Sequence, residues 1–278
     1  MNTSPSRTPA EVPIGPRHPD FDIADCLGRD WHGGDAFRTA LFNALSLTFP
    51  QGEKFFIDSI REFQPGITDP KLTREIRGFI GQEAIHSREH RDMNEAICQA
   101  RGYDAAFMED RLRRETDWAR KHLSPIQRLG ATVVTEHLTA ILGHALLTDP
   151  AWLEGADPRM AELWRWHAVE EVEHKSVAFD TYLAVGGSRA ALRSMLRLET
   201  LQLARHVFAG MRTMLKANGM HRKPSLWWNG LKWLCGRDGI LRKVVPEWRA
   251  FMRADFHPWD QDNRGLIDAW KAAAPAAA

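Results

Sequence analysis

A chain of 278 residues can bury a sizeable core, and 44 % hydrophobic with 26 % charged residues is ordinary for a soluble globular protein. The 37 basic side chains nearly cancel the 36 acidic ones, and no nucleic-acid-binding motif accompanies them, so a nucleic-acid partner is not expected. Three scattered cysteines (Cys26, Cys98, Cys235) argue against a disulfide framework, and no apolar run is long enough for a membrane-spanning helix.

Residues 1–34 read as an irregular N-terminal segment. Met1 to Pro19 is rich in Pro, Ser and Thr and lacks the apolar core of a signal peptide, so a cytoplasmic protein is expected. Helix begins after Asp35, a suitable N-cap, and carries Phe37, Leu41 and Leu45 as an apolar stripe. Pro50 should kink or restart it, after which it runs through Glu53, Phe56 and Ile60 to a break at Pro65-Gly66. Asp69-Pro70, Ser124-Pro125 and Asp157-Pro158 each set a capping side chain before a proline at the first helical position. The helices they open should reach about Ala100, Leu147 and Ala184, with a polar helix over about 104–122 between the first two. Gly186-Gly187 ends the last, and Ser188 caps a further helix to about Asn218-Gly219. Shorter helical pieces, a cluster of Trp227, Trp228 and Trp233, and an Ala-rich tail expected to fray follow. No segment alternates with period two, so the chain reads as all-α: a four-helix bundle over 35–187, with additional C-terminal helices over 188–278 packing on it.

The four bundle helices carry a patterned set of ligand-type residues. Glu-x-x-His occurs at Glu83–His86 and again at Glu171–His174, and a lone Glu on the preceding helix, Glu53 or Glu136, stands before each copy. Residues three apart share a helix face, so Glu and His can reach one ion. Two lone Glu and two such pairs form the ligand set of a carboxylate-bridged two-metal site inside a bundle. The expected metal residues are therefore Glu53, Glu83, His86, Glu136, Glu171 and His174. Oxygen and imidazole ligands suit two divalent ions, with iron favoured and manganese or zinc as alternatives. His90 and His167 stand one turn from proposed ligands, as further ligands, outer partners or acid–base groups, and are taken as the catalytic candidates. His144 is a weaker candidate and His137 a structural one. The three-residue spacing favours Glu171 over Glu170 as the inward group and turns Glu89 and Glu173 outward. Asp92 and Asp180 lie close enough along their helices to orient ligand histidines.

Phe49-Pro50-Gln51-Gly52-Glu53-Lys54-Phe55-Phe56 and Phe79-Ile80-Gly81-Gln82-Glu83-Ala84-Ile85-His86, with His90 and Asn94, resemble signatures of the bacterial predicted metal-dependent hydrolases. Trp166-His167-Ala168-Val169-Glu170-Glu171-Val172-Glu173-His174-Lys175 and Phe256-His257-Pro258-Trp259 are similar to that family as well. The resemblance spans roughly 35–262 and implies a ferritin-like fold and a metal enzyme.

Carboxylate-rich ligation places dioxygen activation by a di-iron site, oxidising a small organic substrate with an electron donor as partner, first among the functions. A metal-dependent hydrolase using a metal-activated water is the alternative that the resemblance implies. Non-enzymatic metal storage or an interaction role ranks third. Residues 1–188 hold 21 basic against 29 acidic side chains, and residues 189–253 hold 14 against 3. The basic region is expected to dock on the acidic body, with its tryptophans as a lid over the bundle in preference to peripheral membrane contact. A homodimer is left open.

Overall fold

The computed structural model describes residues 6–273. Its helices are α1 (Ala36–Ser46), α2 (Phe49–Arg61), α3 (Pro70–Arg101), α4 (Ala105–His122), α5 (Pro125–Thr148), α6 (Pro158–His174), α7 (Val177–Ala184), α8 (Arg189–Ala217), α9 (Pro224–Cys235), α10 (Val245–Ala250) and α11 (Arg264–Ala273). Among the described residues no strand forms, only an isolated bridge between His32 and Ala156, so the all-α expectation is met. No helix among them is long and apolar enough to cross a membrane.

The helix starts follow local chemistry. Asp35 accepts from the backbone N–H groups of Phe37 and Arg38, Asp69 from Lys71 and Leu72, and Asp157 from Arg159. Ser124 and Gln127 form a capping box at the start of α5. Pro50 sits in the first turn of α2, so it restarts the helix after the break at Leu47-Thr48 instead of kinking one continuous helix.

α2 lies along α3, and α5 along α6. α2 also meets α5, and α3 meets α6 and α7, closing four helical walls around one interior. The fourth wall differs from expectation, being interrupted by a turn at Lys175-Ser176. There, Lys175 Nζ donates to the Gln261 carbonyl (2.6 Å) and the Asn263 amide oxygen, and Ser176 Oγ meets Thr8 Oγ1 at 2.8 Å. These bonds, to segments more than 80 residues away, hold the turn.

The N-terminal segment has no α-helix over residues 6–34, yet Val12, Ile23, Cys26, Leu27 and Trp31 are buried. It crosses α3 at Gly78, where an added Cβ would lie 2.2 Å from the Ile14 carbonyl oxygen. Only a residue without a side chain allows that approach. α8 packs on α1 and α5, and its contact with α1 is apolar, joining Val207, Met211 and Met214 to Phe37, Leu41 and Ala44. Of the basic side chains in 189–253, Lys243 pairs with the body through Asp149 (2.6 Å). Apolar burial thus accounts for that seam, and it draws on the hydrophobic stripe of α8 more than on its charge. The tryptophans on α9 cover α1 rather than the bundle interior: Trp227 meets Phe37, Arg38 lies over Trp233, and Trp228 is exposed. α11 packs on α6 with Ile267 against Val169 and Val172, while the Ala-rich tail expected to fray after Lys271 lies mostly outside the described residues.

Candidate metal centre

Each wall delivers its ligand-type side chains to the same place: Glu53 from α2, Glu83 and His86 from α3, Glu136 from α5, His167, Glu171 and His174 from α6. None of these residues is more than 4 % exposed. One atom each from Glu53, His86 and His167 lie within 4.8 Å of one another, and Glu83, Glu171 and His174 form a second such group. Glu136 joins the second group, its Oε2 standing 3.2 Å from His174 Nε2. The two groups are linked: Glu171 Oε1 is 3.1 Å from His167 Nε2 and 3.5 Å from His86 Nδ1, while Glu171 Oε2 is 3.6 Å from His174 Nε2. All six expected metal residues converge, and His167, expected as a catalytic group, stands among them.

The fit to metal ions rests on what these atoms lack. Both oxygens of Glu53, Glu83 and Glu136, one of Glu171, and His86 Nδ1, His167 Nε2 and His174 Nε2 are buried without a hydrogen-bond partner. Orphaned polar atoms in one interior are costly unless something binds them. Oxygen and imidazole donors at this density fit two divalent cations, whose four positive charges the four carboxylates offset.

Outer partners orient each imidazole through its other nitrogen. His86 Nε2 faces Glu170 Oε2 at 3.0 Å, which leaves Nδ1 inward. His174 Nδ1 faces Gln82 Oε1 at 3.0 Å, leaving Nε2 inward. Behind His167 a chain of bonds assigns the protons. Asn94 Nδ2 donates to the Ser46 carbonyl (3.0 Å), so its Oδ1 accepts the Ser46 hydroxyl (2.7 Å). With that proton committed, His90 Nδ1 donates to Ser46 Oγ (2.9 Å), and a neutral His90 accepts at Nε2 from His167 Nδ1 (2.8 Å). The lone pair of His167 Nε2 then points into the site. Burial, and then the neighbouring imidazoles, hold His90 well below the ordinary histidine range. Burial and His86 lower His167.

His90 therefore sits behind His167 and is absent from the lining of the cavity that opens beside Glu53, His167 and Glu171, where a catalytic group would stand. Glu170 and Glu173 differ more from expectation. Both are buried, and Glu173, expected to face outward, is held by Arg17 (2.6 Å), Lys271 (3.1 Å) and Gln82 (3.0 Å). Arg17 also binds Glu170 at 2.8 Å, so one guanidinium on the N-terminal strap secures two carboxylates of α6. Helix periodicity missed this because the partner is an irregular segment more than 150 residues away. Asp180 bonds His257 (2.9 Å) instead of a ligand histidine, and exposed Asp92 meets Arg91 at 3.7 Å. Glu89 pairs with Arg88, and His144 bonds Asn263 (2.7 Å). His137 packs on Phe251 and Phe256, with burial pushing it down to about 3.

The electrostatics of the side chains alone are those of a proton-filled site. Burial, and then the charge of Glu83, push Glu136 up to about 8 and Glu53 well above the ordinary range. Burial opposes charge on His86, but the Glu170 bond at Nε2 and the nearby Glu171 and Glu83 carboxylates outweigh it and raise that imidazole. His174 rises likewise, through Glu136 and Glu171. Burial also disfavours charge on Glu171, but His167 and His174 hold it well below the carboxylate range. Cations in place of these protons would satisfy the same oxygens and nitrogens.

No curated protein and no solved structure matches the chain. The family model described as predicted metal-dependent hydrolase matches residues 15–262, which include Arg17 of the strap, every inward-facing ligand-type residue and the outer partners except Lys271. With that match over most of its length, the chain belongs to the family of predicted metal-dependent hydrolases.

Proposed function

We propose that the protein is a two-metal hydrolase whose centre comprises Glu53, His86 and His167 on one side and Glu83, Glu136, Glu171 and His174 on the other. The observation that carries this reading is the set of unpartnered carboxylate oxygens and imidazole nitrogens converging in one buried place. Two divalent ions bound there would acidify a water and polarise the bond to be cleaved. Glu53 also lines the adjoining cavity, so an oxygen it does not give to an ion would be placed to take the proton of the attacking water. The Asn94–Ser46–His90 chain fixes the His167 ring, and Arg17 keeps Glu170 charged against His86. Four helical walls contributing ligands also favour the ferritin-like arrangement that the sequence resemblance implied.

Family membership reverses the ranking drawn from the ligands alone, favouring hydrolysis over dioxygen activation. The carboxylate-rich donor set is the specific observation that supports the second reading. Metal analysis of protein purified without added metal, then ester, amide and phosphate hydrolysis under anaerobic conditions, separates them. Two equivalents of metal and turnover lost on chelation are expected. Dioxygen consumption by the ferrous form without hydrolysis by any loaded form would overturn the proposal.

A further inference from the structure

A cavity of about 850 Å³ joins the metal centre to the surface. Glu53, His167 and Glu171 form its inner end, and Trp118 of α4 and Leu198 of α8, each 56 % exposed, stand at its outer end. Its walls are stripes at helical spacing. On α8 these are Ala191, Met195, Leu198 and Gln202; on α2, Phe49, Gly52, Glu53 and Phe56. Protein interiors are close-packed, and an unfilled apolar void costs stability. A void of this size, open to a metal centre and within the usual range of ligand pockets, is a binding volume. Among the described residues lining it, Arg114 is the only Lys or Arg, and it is turned to the surface, bonded to Asp110 at 2.5 Å with its side chain 77 % exposed. No Lys or Arg inside awaits an anionic group, and the exposed lining is mainly apolar; the acidic groups on it toward the mouth are Glu199, which burial pushes up to about 7, and Glu115, paired with His206 at 2.7 Å.

We infer that this cavity holds the aliphatic chain of a neutral long-chain carboxylic ester, with the ester carbonyl at the Glu53–His167 end and the tail directed to the α4–α8 mouth. The inference rests on the hydrolase reading. In the reaction, water oxygen bonds to the acyl carbon and the acyl carbon–alkoxy oxygen bond breaks. One water proton passes to the departing alkoxide, giving a carboxylic acid and an alcohol with no oxidant or reductant.

The test is titration of the metal-loaded protein with octanoate, decanoate and dodecanoate, read by calorimetry. Affinity should tighten by about fourfold per methylene, the value of burying a CH₂. Ser194→Trp and, independently, Ala191→Trp place bulk at exposed positions of the α8 cavity face. Each should weaken dodecanoate binding at least tenfold while metal content and melting temperature stay unchanged. Affinity independent of chain length, or two folded variants that bind dodecanoate normally, would overturn the inference. If the ladder holds but p-nitrophenyl decanoate is not hydrolysed, the chain site stands and the hydrolase reading falls. If the acetate ester is cleaved as well as the decanoate and no ladder is seen, the hydrolase reading stands and the chain site falls.

Discussion

Each imidazole in the centre is held by a different device, and the differences can be measured. Gln82 serves His174, which belongs with Glu83 and Glu171; His90 serves His167, which belongs with Glu53 and His86. Gln82→Ala should therefore weaken one metal and His90→Ala the other, each by about 10–100-fold, the usual effect of losing an outer partner. Competition with a graded chelator, with metal content counted at each step, would resolve the two sites. Equal loss of both metals in both variants would show that the centre binds as one inseparable unit.

The N-terminal strap is an element whose worth lies in what it carries. Gly78→Val would drive a side chain into the Ile14 backbone, lifting residues 14–17 or shifting α3, at a cost of about 1–3 kcal/mol. Arg17→Ala would leave buried Glu170 without its guanidinium and Glu173 with Lys271 and Gln82, costing about 3 kcal/mol. Both changes free the same clamp, so the double variant should be less destabilised than the sum of the singles. Chemical denaturation of the three variants checks this, and strict additivity would show that Gly78 and the Arg17 clamp act separately. At the helix starts the effects are smaller. Asp69→Ala removes a side chain accepting two N–H bonds and should cost about 1 kcal/mol, leaving metal affinity intact.

Across the whole molecule, the candidate metal centre ties stability to pH. In the metal-free chain Glu136 is pushed up to about 8, and Glu53, His86 and His174 are also raised, so the folded state keeps protons that the unfolded chain has released above pH 7. A state holding more protons loses stability as pH rises. The metal-free chain should accordingly become less stable from pH 7 to 9, by about 1.4 kcal/mol per pH unit for each proton still held. Metal in place of those protons removes that slope and adds binding free energy, so the loaded protein should melt higher and change little over the same window. Calorimetric melts of the chelated and loaded forms at three pH values would decide it. A flat profile for the chelated chain would mean that the buried carboxylates are already ionised and otherwise compensated.

Helix positions and the inward-facing ligand-type residues were legible in the sequence because both depend on local geometry. An Asp-Pro or Ser-Pro start satisfies orphan N–H groups within one turn, and Glu-x-x-His sets two ligands on one face through helical pitch alone. Even His167 carried a signal, standing one turn before Glu171. What the pitch could not supply is the set of partners brought together only by packing. Arg17 reaches Glu170 and Glu173 because Gly78 lets an irregular strap lie on α3. Ser46 reaches His90 from a different helix, and the interruption after His174 depends on bonds from residues 8, 261 and 263. Stripes at helical spacing marked apolar faces, but only the tertiary placement of α4 and α8 left a gap between some of them. The same periodic leucines and phenylalanines would otherwise have closed into ordinary core.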